Sequence, residues 1–307
     1  MKPKRILVTG ATGFVGRPLL PALLRAGHAV RVATRREESF PDSVEVAIIA
    51  DLKSHTDWKP ILQGVDIVIH LAGPAHSKIS EEAFSEFDQV NWHATQRLAN
   101  AAKNAGIDRF VYISSVRAQV GSSALNVICE QDDPHPTNQY GRSKLAAEQA
   151  VRASGVPFTI LRPVVVYGPH PKGNMLAVVK FARSPWPLPF VESHRSLLSI
   201  DNLISAIIFS LNNLTMAGET YLVADPEPVT IGQLFSLLRK VQGRSPRAIK
   251  VPKAIMRLSL WACRCSDLWP RISGDLVVDI SKIRSTGWLP AVDTYHGMLK
   301  MMREFDN

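Results

Sequence analysis

Tyr140 and Lys144 stand four residues apart in the stretch Tyr-Gly-Arg-Ser-Lys, and Leu-Ala-Ala-Glu-Gln-Ala-Val follows with neither Gly nor Pro. On a helix that spacing puts the phenol and the ammonium on one face. A free tyrosine titrates near pH ~10, and a neighbouring cation or hydrogen-bond donor favours its phenolate. The pair therefore has the parts of a proton-transfer device. Upstream, Val-Tyr-Ile-Ser-Ser (residues 111–115) reads as a strand ending in Ser114 and Ser115. Adjacent serines are ordinary turn formers.

A second chemical feature opens the chain. Residues 6–20, Ile-Leu-Val-Thr-Gly-Ala-Thr-Gly-Phe-Val-Gly-Arg-Pro-Leu-Leu, read as a strand, a glycine loop and a helix with Pro18 in its first turn, where a missing N–H costs little. Gly10 permits the tight turn, Gly13 lets backbone approach a pyrophosphate, and Gly16 lets the helix pack on the strand with the anion at its N-terminus. Directly after an N-terminal strand, the triplet predicts a dinucleotide site. An acidic residue is expected at the end of the second strand to bind the ribose 2′-hydroxyl of NAD. This chain offers Thr34, Arg35 and Arg36 instead. Guanidinium groups favour a 2′-phosphate, so NADP is preferred over NAD, with Glu37 and Glu38 at hand to turn inward and reverse that preference.

The elements that must position these groups alternate. Short apolar runs at residues 5–8, 29–33, 66–70, 109–114 and 158–161 are separated by helix-like stretches at 18–25, 84–105 and 143–153. This predicts an α/β fold, a Rossmann-type doubly wound parallel sheet. After residues 164–174 the rhythm breaks and prolines cluster at 184–190. A dinucleotide-binding domain is expected over 1–168 and 199–224, and a smaller C-terminal substrate-binding domain over 169–198 and 225–307. No internal repeat is visible.

Composition narrows the function classes. The chain has 307 residues, 46% hydrophobic and 21% charged, with net charge +9. Its longest apolar runs fall short of the roughly 20 residues needed to span a bilayer, and Met-Lys-Pro-Lys-Arg leads straight into a strand, so a cytoplasmic protein is expected. The basic residues are scattered without nucleic-acid signatures, which points to a phosphate-rich ligand. Cys129, Cys263 and Cys265 suggest buried thiols, with neither a disulfide framework nor zinc-ligand spacing; no metal site is expected. Residues 254–271 carry Trp261, Trp269 and arginines, a stripe that suits a partly buried lid helix better than a membrane surface.

The joint order of glycine loop, Ser-Ser, Tyr-Gly-x-Ser-Lys and Leu-Arg-Pro-x-x-Val-Tyr-Gly-Pro (residues 161–169) resembles the extended short-chain dehydrogenase/reductases, specifically the NAD-dependent epimerase/dehydratase family of nucleotide-sugar enzymes. The resemblance covers nearly the whole chain. It implies Ser115, Tyr140 and Lys144 as the catalytic set, with Lys144 also holding the nicotinamide ribose. It implies cofactor contacts from Gly10, Thr12, Gly13, Phe14, Val15, Gly16, Arg35, Arg36, Asp51, Leu52, Leu71, Ala72, Gly73, Asn91, Ser114, Tyr140, Lys144, Pro163 and Val166. Substrate contacts fall on Ser115, Arg117, Asn174 and Arg195, the last two at diphosphate-binding positions, and a homodimer is implied through residues 84–105 and 143–153. His70 and His76 read as a strand-end and a loop histidine, and Asp201 and Asp279 as helix caps.

The implied chemistry lies at C4 of a nucleotide-linked, UDP-type hexose, either epimerised through a transient 4-keto sugar or reduced from one. Dehydratases of the family place acids just after the catalytic Ser or Thr; Val116 and Arg117 stand there instead, so dehydration lacks its acid and base. The competing reading is a non-catalytic dinucleotide sensor on the same fold, a class that typically loses the Tyr or Lys this chain keeps.

Overall fold

The computed structural model describes residues 3–36, 38–52, 56–74, 87–171, 173–184, 188–246, 248–262, 264, 266 and 269–306. His76, Glu37, Cys263 and Cys265 lie outside them.

Seven strands form a parallel sheet: β1 (Arg5–Thr9), β2 (Ala29–Thr34), β3 (Val44–Ile48), β4 (Ile67–His70), β5 (Arg109–Ile113), β6 (Phe158–Pro163) and β7 (Glu219–Val223), in the order β7-β6-β5-β4-β1-β2-β3. Strands covered on both faces read as continuous apolar runs, and β4 and β5 are buried at every position. Alternation still sorts their side chains. Ile6 and Val8 join one core layer with Leu19, Leu23, Leu203 and Ile207, while Leu7 joins the other with Leu98, Ala102, Ala147 and Val151. Those residues come from α1 (Gly16–Arg25), α2 (Ala94–Asn104), α3 (Gln139–Ala153) and α4 (Ile200–Asn212). The strand order reverses between β1 and β4, so a crevice opens at their carboxyl ends, where Thr9 pairs with His70.

Short strand pairs carry the rest of the chain: Leu197–Ser199 beside Val165–Tyr167, His194–Arg195 beside Val229–Thr230, and Leu188–Phe190 beside Ala248–Lys250. With α5 (Ile231–Val241) and α7 (Thr294–Asp306) they enclose a third core around Tyr167, Leu238, Met298 and Met301. Buried Asp225 ties that unit to the sheet, accepting from Tyr167 Oη at 2.7 Å, Ser199 N at 2.8 Å and Asn202 Nδ2 at 2.7 Å.

Several expectations need correction. The helix anticipated over 84–105 is broken in kind: Asp88–His93 form a π-helical turn before α2 begins. α3 starts ahead of residue 143, because Asn138 caps it by accepting from Gly141 N at 2.8 Å. The cap of α4 is Ser199; Asp201 sits in its first turn and accepts from Lys300 at 2.8 Å, while Asp279 does take a cap-like bond from Ser281 N at 2.8 Å. Cys129 is half-buried, not buried. The stripe expected to be a partly buried helix is one over α6 (Lys253–Ala262), which buries Met256 and, on its other side, exposes Ile255, Leu258 and Trp261.

Candidate active site

The glycine loop forms as its residue types require. Gly10 has φ +72°, and a Cβ there would lie 2.8 Å from Ala72 N, so the turn at the end of β1 needs glycine twice over. Gly13 N donates to Gly10 O at 3.0 Å, and α1 opens at Val15 with no side-chain cap bond among the described residues, which keeps its N-terminal N–H groups oriented toward the loop. Thr12 carries the carbonyl that accepts from Arg17 Nε, and Phe14 packs towards Gly168 of the Tyr-Gly-Pro stretch. Leu71–Gly73 follow β4 directly, with Leu71 N bonded to Thr9 O. Leu52 O accepts from Arg97 Nη2 of α2 at 2.6 Å, which fixes the Asp51–Leu52 turn. Arg35 and Arg36 project into solvent from the carboxyl end of β2. Pro163 is buried at the end of β6, and Val166 is half-buried in the next short strand.

His70 is fully buried and uses both ring nitrogens, to Thr9 Oγ1 at 2.6 Å and Thr95 Oγ1 at 2.8 Å. Burial, with a smaller contribution from the Lys144 charge, lowers its pKa to about 3. It is therefore neutral in the working pH range and braces the ends of β1 and β4 against α2. Thr95 in turn donates to Asn91 O at 2.6 Å, inside the π-helical turn.

The proton-transfer groups converge from two elements. Ser115 ends the β5 segment with its Oγ accepting from Arg117 N at 3.2 Å. Helix α3 packs so closely that a Cβ on Gly141 would lie 2.1 Å from Arg117 O, which explains the glycine between Tyr140 and Lys144. Tyr140 stands beside Ser115, whose hydroxyl bears on the phenol, and lies against Phe87, ring centroids 5.8 Å apart. Burial raises the phenol above its usual value, opposed by the Ser115 hydrogen bond and the Arg117 charge. A cation whose charge bears on Tyr140 is Arg117, which the sequence reading assigned to the substrate. The Lys144 ammonium donates to Ile113 O at 2.9 Å and sits over the Tyr112 ring at 4.8 Å. Burial lowers its pKa to about 8, with Glu148 opposing.

Asn91 is fully buried; its amide nitrogen donates to Ser143 Oγ and Pro74 O, and Oδ1 has no partner among the described residues. A Cβ built on Gly73 would lie 2.2 Å from that Oδ1 and 3.6 Å from Lys144 Nζ, so acceptor and ammonium flank one glycine at the crevice. A buried cation, a glycine loop with no side chains at Gly10, Gly13 and Gly16, and the helix N-terminus after it fit a phosphate-bearing dinucleotide at this crevice.

Beyond Tyr140, Arg117 acts electrostatically on Arg195, whose Nη1 donates to Ser122 O at 2.6 Å. Arg195 in turn feels Asp275, which with His194, Lys250, Val251, Ser123 and Gly274 lines a cavity of about 920 Å³. Electrostatic interactions thus run from the phenol through Arg117 and Arg195 to Asp275 on the cavity wall. Asn174 lies in the first turn of the helix Gly173–Ala182, and its side chain is outside the described residues.

Sequence reasoning passed over one cluster. Glu148, one turn beyond Lys144, is buried and receives Arg162 Nε at 2.9 Å and Nη2 at 2.6 Å, while Ser114 Oγ donates to it at 2.5 Å. Arg162 Nη1 donates to Gln119 Oε1 at 2.8 Å. The signal was available: an Arg in Leu-Arg-Pro and a Glu in the same helix as Tyr140, both in otherwise apolar runs. No group of three or more metal-ligating side chains occurs among the described residues.

The pKa of Lys144 makes a testable point. If its charge helps hold an anionic cofactor, affinity is full below about 8 and declines as pH rises through that value, because binding then requires the ammonium to regain a proton. Cofactor titrations followed by fluorescence should show this decline in the wild type and a flat profile in Lys144→Met.

Residues 6–224 match the model of the NAD dependent epimerase/dehydratase family. The chain is 31% identical over 315 residues to a UDP-glucose 4-epimerase from Vibrio cholerae, covering 99% of this chain and 96% of that one. It is 27% identical over 294 residues to a ceramide reductase from Caulobacter vibrioides, covering 93% and 86%. A solved UDP-glucuronic acid 4-epimerase from Bacillus cereus, in complex with UDP-glucuronic acid and NAD, has the same fold with a TM-score of 0.80, 25% identity and coverage of 98% and 99%.

Proposed function

We propose, from the premise that the chain belongs to the NAD dependent epimerase/dehydratase family, that it acts on C4 of a UDP-linked hexose as a nicotinamide-dependent 4-epimerase or 4-ketoreductase. Family membership makes it an enzyme, which removes the sensor reading. The observation that carries the proposal is the contact of Ser115 with Tyr140 beside Arg117, backed by Lys144 and Asn91 at the crevice. A bound nicotinamide would supply the hydride acceptor and donor. Ser115 would orient the C4 oxygen, and Tyr140 would give that oxygen a proton as the carbonyl becomes an alcohol, or take it in the reverse sense. Arg117 and Arg195 suit the diphosphate, and the cavity beyond them is large enough for a nucleoside. On this reading residues 1–168 and 199–224 form the cofactor domain and the remainder the substrate domain.

The full-length likeness to 4-epimerases supports the epimerase reading. Two observations favour the reductase. Arg35 and Arg36 stand exposed at the carboxyl end of β2, within reach of a cofactor in the crevice, and Tyr140 is protonated at neutral pH in the free chain, ready to act as an acid. Incubation with UDP-hexoses and with UDP-4-keto-hexoses, following NADPH absorbance, separates them. Net NADPH consumption identifies a reductase, and interconversion of UDP-hexoses without it identifies an epimerase. Inactivity on both substrate classes overturns the proposal.

The cofactor preference has its own test. If the two arginines clamp a 2′-phosphate, truncating both to Ala should weaken NADPH binding by about 10- to 100-fold, the range for losing a charge-assisted hydrogen bond, and leave NADH nearly unchanged. A wild type that prefers NADH, or equal losses for both cofactors, would make these arginines solvated surface and return the preference to NAD.

A further inference from the structure

We propose that the outer face of α6 docks on the surface of an anionic phospholipid membrane, setting the mouth of the cavity beside it. The inference stands on exposure and charge and is independent of the C4 chemistry. Helix α6 packs inward through Met256, with Leu260 half-buried. At roughly 100° per residue, the side opposite those two carries Ala254, Ile255, Leu258 and Trp261. A surface helix should be polar there, yet Ile255 is 58%, Leu258 65% and Trp261 70% exposed. Ile249, just ahead of the helix, is 54% exposed and extends the patch.

Cations border this apolar face. Lys253, Arg257 and Arg264 are exposed, and residues 251–271 carry four basic side chains against the single acid Asp267. A tryptophan and long aliphatics ringed by Lys and Arg match the headgroup region of an anionic bilayer, where apolar groups enter the acyl boundary and cations meet lipid phosphates. A second copy meeting the same face about a two-fold axis would set these cations against their own kind. Among the described residues no helix is long and apolar enough to cross a membrane, so the contact is peripheral. Lys250, Val251, Pro252 and Lys253 line the cavity and run straight into α6, so docking brings the cavity rim to headgroup level.

Sedimentation with phosphatidylcholine vesicles, with and without a quarter of phosphatidylglycerol, tests this. The wild type should partition onto the anionic vesicles about 10-fold or more in excess of the neutral ones, and high salt should reduce the excess. Leu258→Glu with Trp261→Glu should cut anionic-vesicle binding at least ~10-fold with an unchanged melting temperature, since both side chains are exposed. Arg257→Glu, which keeps the apolar face, should weaken binding to anionic vesicles alone. Absence of wild-type partitioning, a double variant that binds as well as wild type, or a dimer in sedimentation velocity that the double variant abolishes would each overturn the proposal.

Discussion

Tyr140→Phe should fold, bind cofactor as the wild type does, and lose at least ~10²-fold in turnover, because the substitution removes one oxygen and nothing else. The ring is held by packing that phenylalanine keeps, including the contact with Phe87. The oxygen lies where the Ser115 hydroxyl and the Arg117 charge both favour its ionised form, against the burial that opposes it. Since burial keeps the phenol above its usual pKa in the free chain, Tyr140 is an acid throughout the neutral range. In the reductive direction the rate should therefore stay level as pH falls below 8. In the oxidative direction it should rise with pH, as the base form becomes populated. Steady-state kinetics in both directions, with fluorescence titration of the cofactor, check these outcomes together. Near-normal turnover in Tyr140→Phe would end the case for proton transfer through this helix. Loss of cofactor affinity in proportion to turnover would make Tyr140 a binding group.

The same site shows what a sequence can and cannot disclose. Gly10, Tyr140 and Lys144 were legible because each obeys a local rule: a turn needing positive φ, and two side chains four residues apart on a helix. The parallel sheet was legible from apolar runs, although β3 was missed, because an edge strand exposing Val46 and Ile48 has no clean buried pattern. β7 was missed because it lies late in the chain, after the rhythm has broken. What pairs across the fold was not legible. Arg117 acts on Tyr140 only because α3 packs against the Val116–Ala118 turn with no side chain at Gly141. The π-helical turn that points Asn91 into the crevice has no propensity signature of its own, since one extra residue per turn leaves composition unchanged. The partly buried helix was legible in the α6 stripe, but which of its sides is buried was not: a stripe of Ile, Leu and Trp on a helix has the pattern of a core, and only the packed chain shows that Met256 faces inward.

Glu148→Ala should be among the most destabilising single substitutions in the chain, at about 3–5 kcal/mol, because it strands the buried Arg162 guanidinium without its carboxylate. Glu148 accepts two bonds from Arg162 and one from Ser114, and among the described residues Arg162 keeps Gln119 alone as a side-chain partner when it is gone. For a chain of this size each kcal/mol lowers the melting temperature by roughly 2 °C or more, so a drop of about 6–10 °C is expected by calorimetry. The pair's net worth is a separate quantity. Glu148→Leu combined with Arg162→Met removes both charges and fills similar volume, and should recover most of the loss, since the desolvation of two ions no longer has to be offset. The cluster also links the end of β5, through Ser114, to the helix carrying Lys144. The double variant should therefore regain stability before it regains cofactor affinity, as the hydrogen bond that ties Ser114 to α3 remains absent. Equal recovery of both would make the cluster a packing feature alone. A single variant that melts within about 1 °C of wild type would mean that water or another acceptor takes the place of Glu148 beside Arg162.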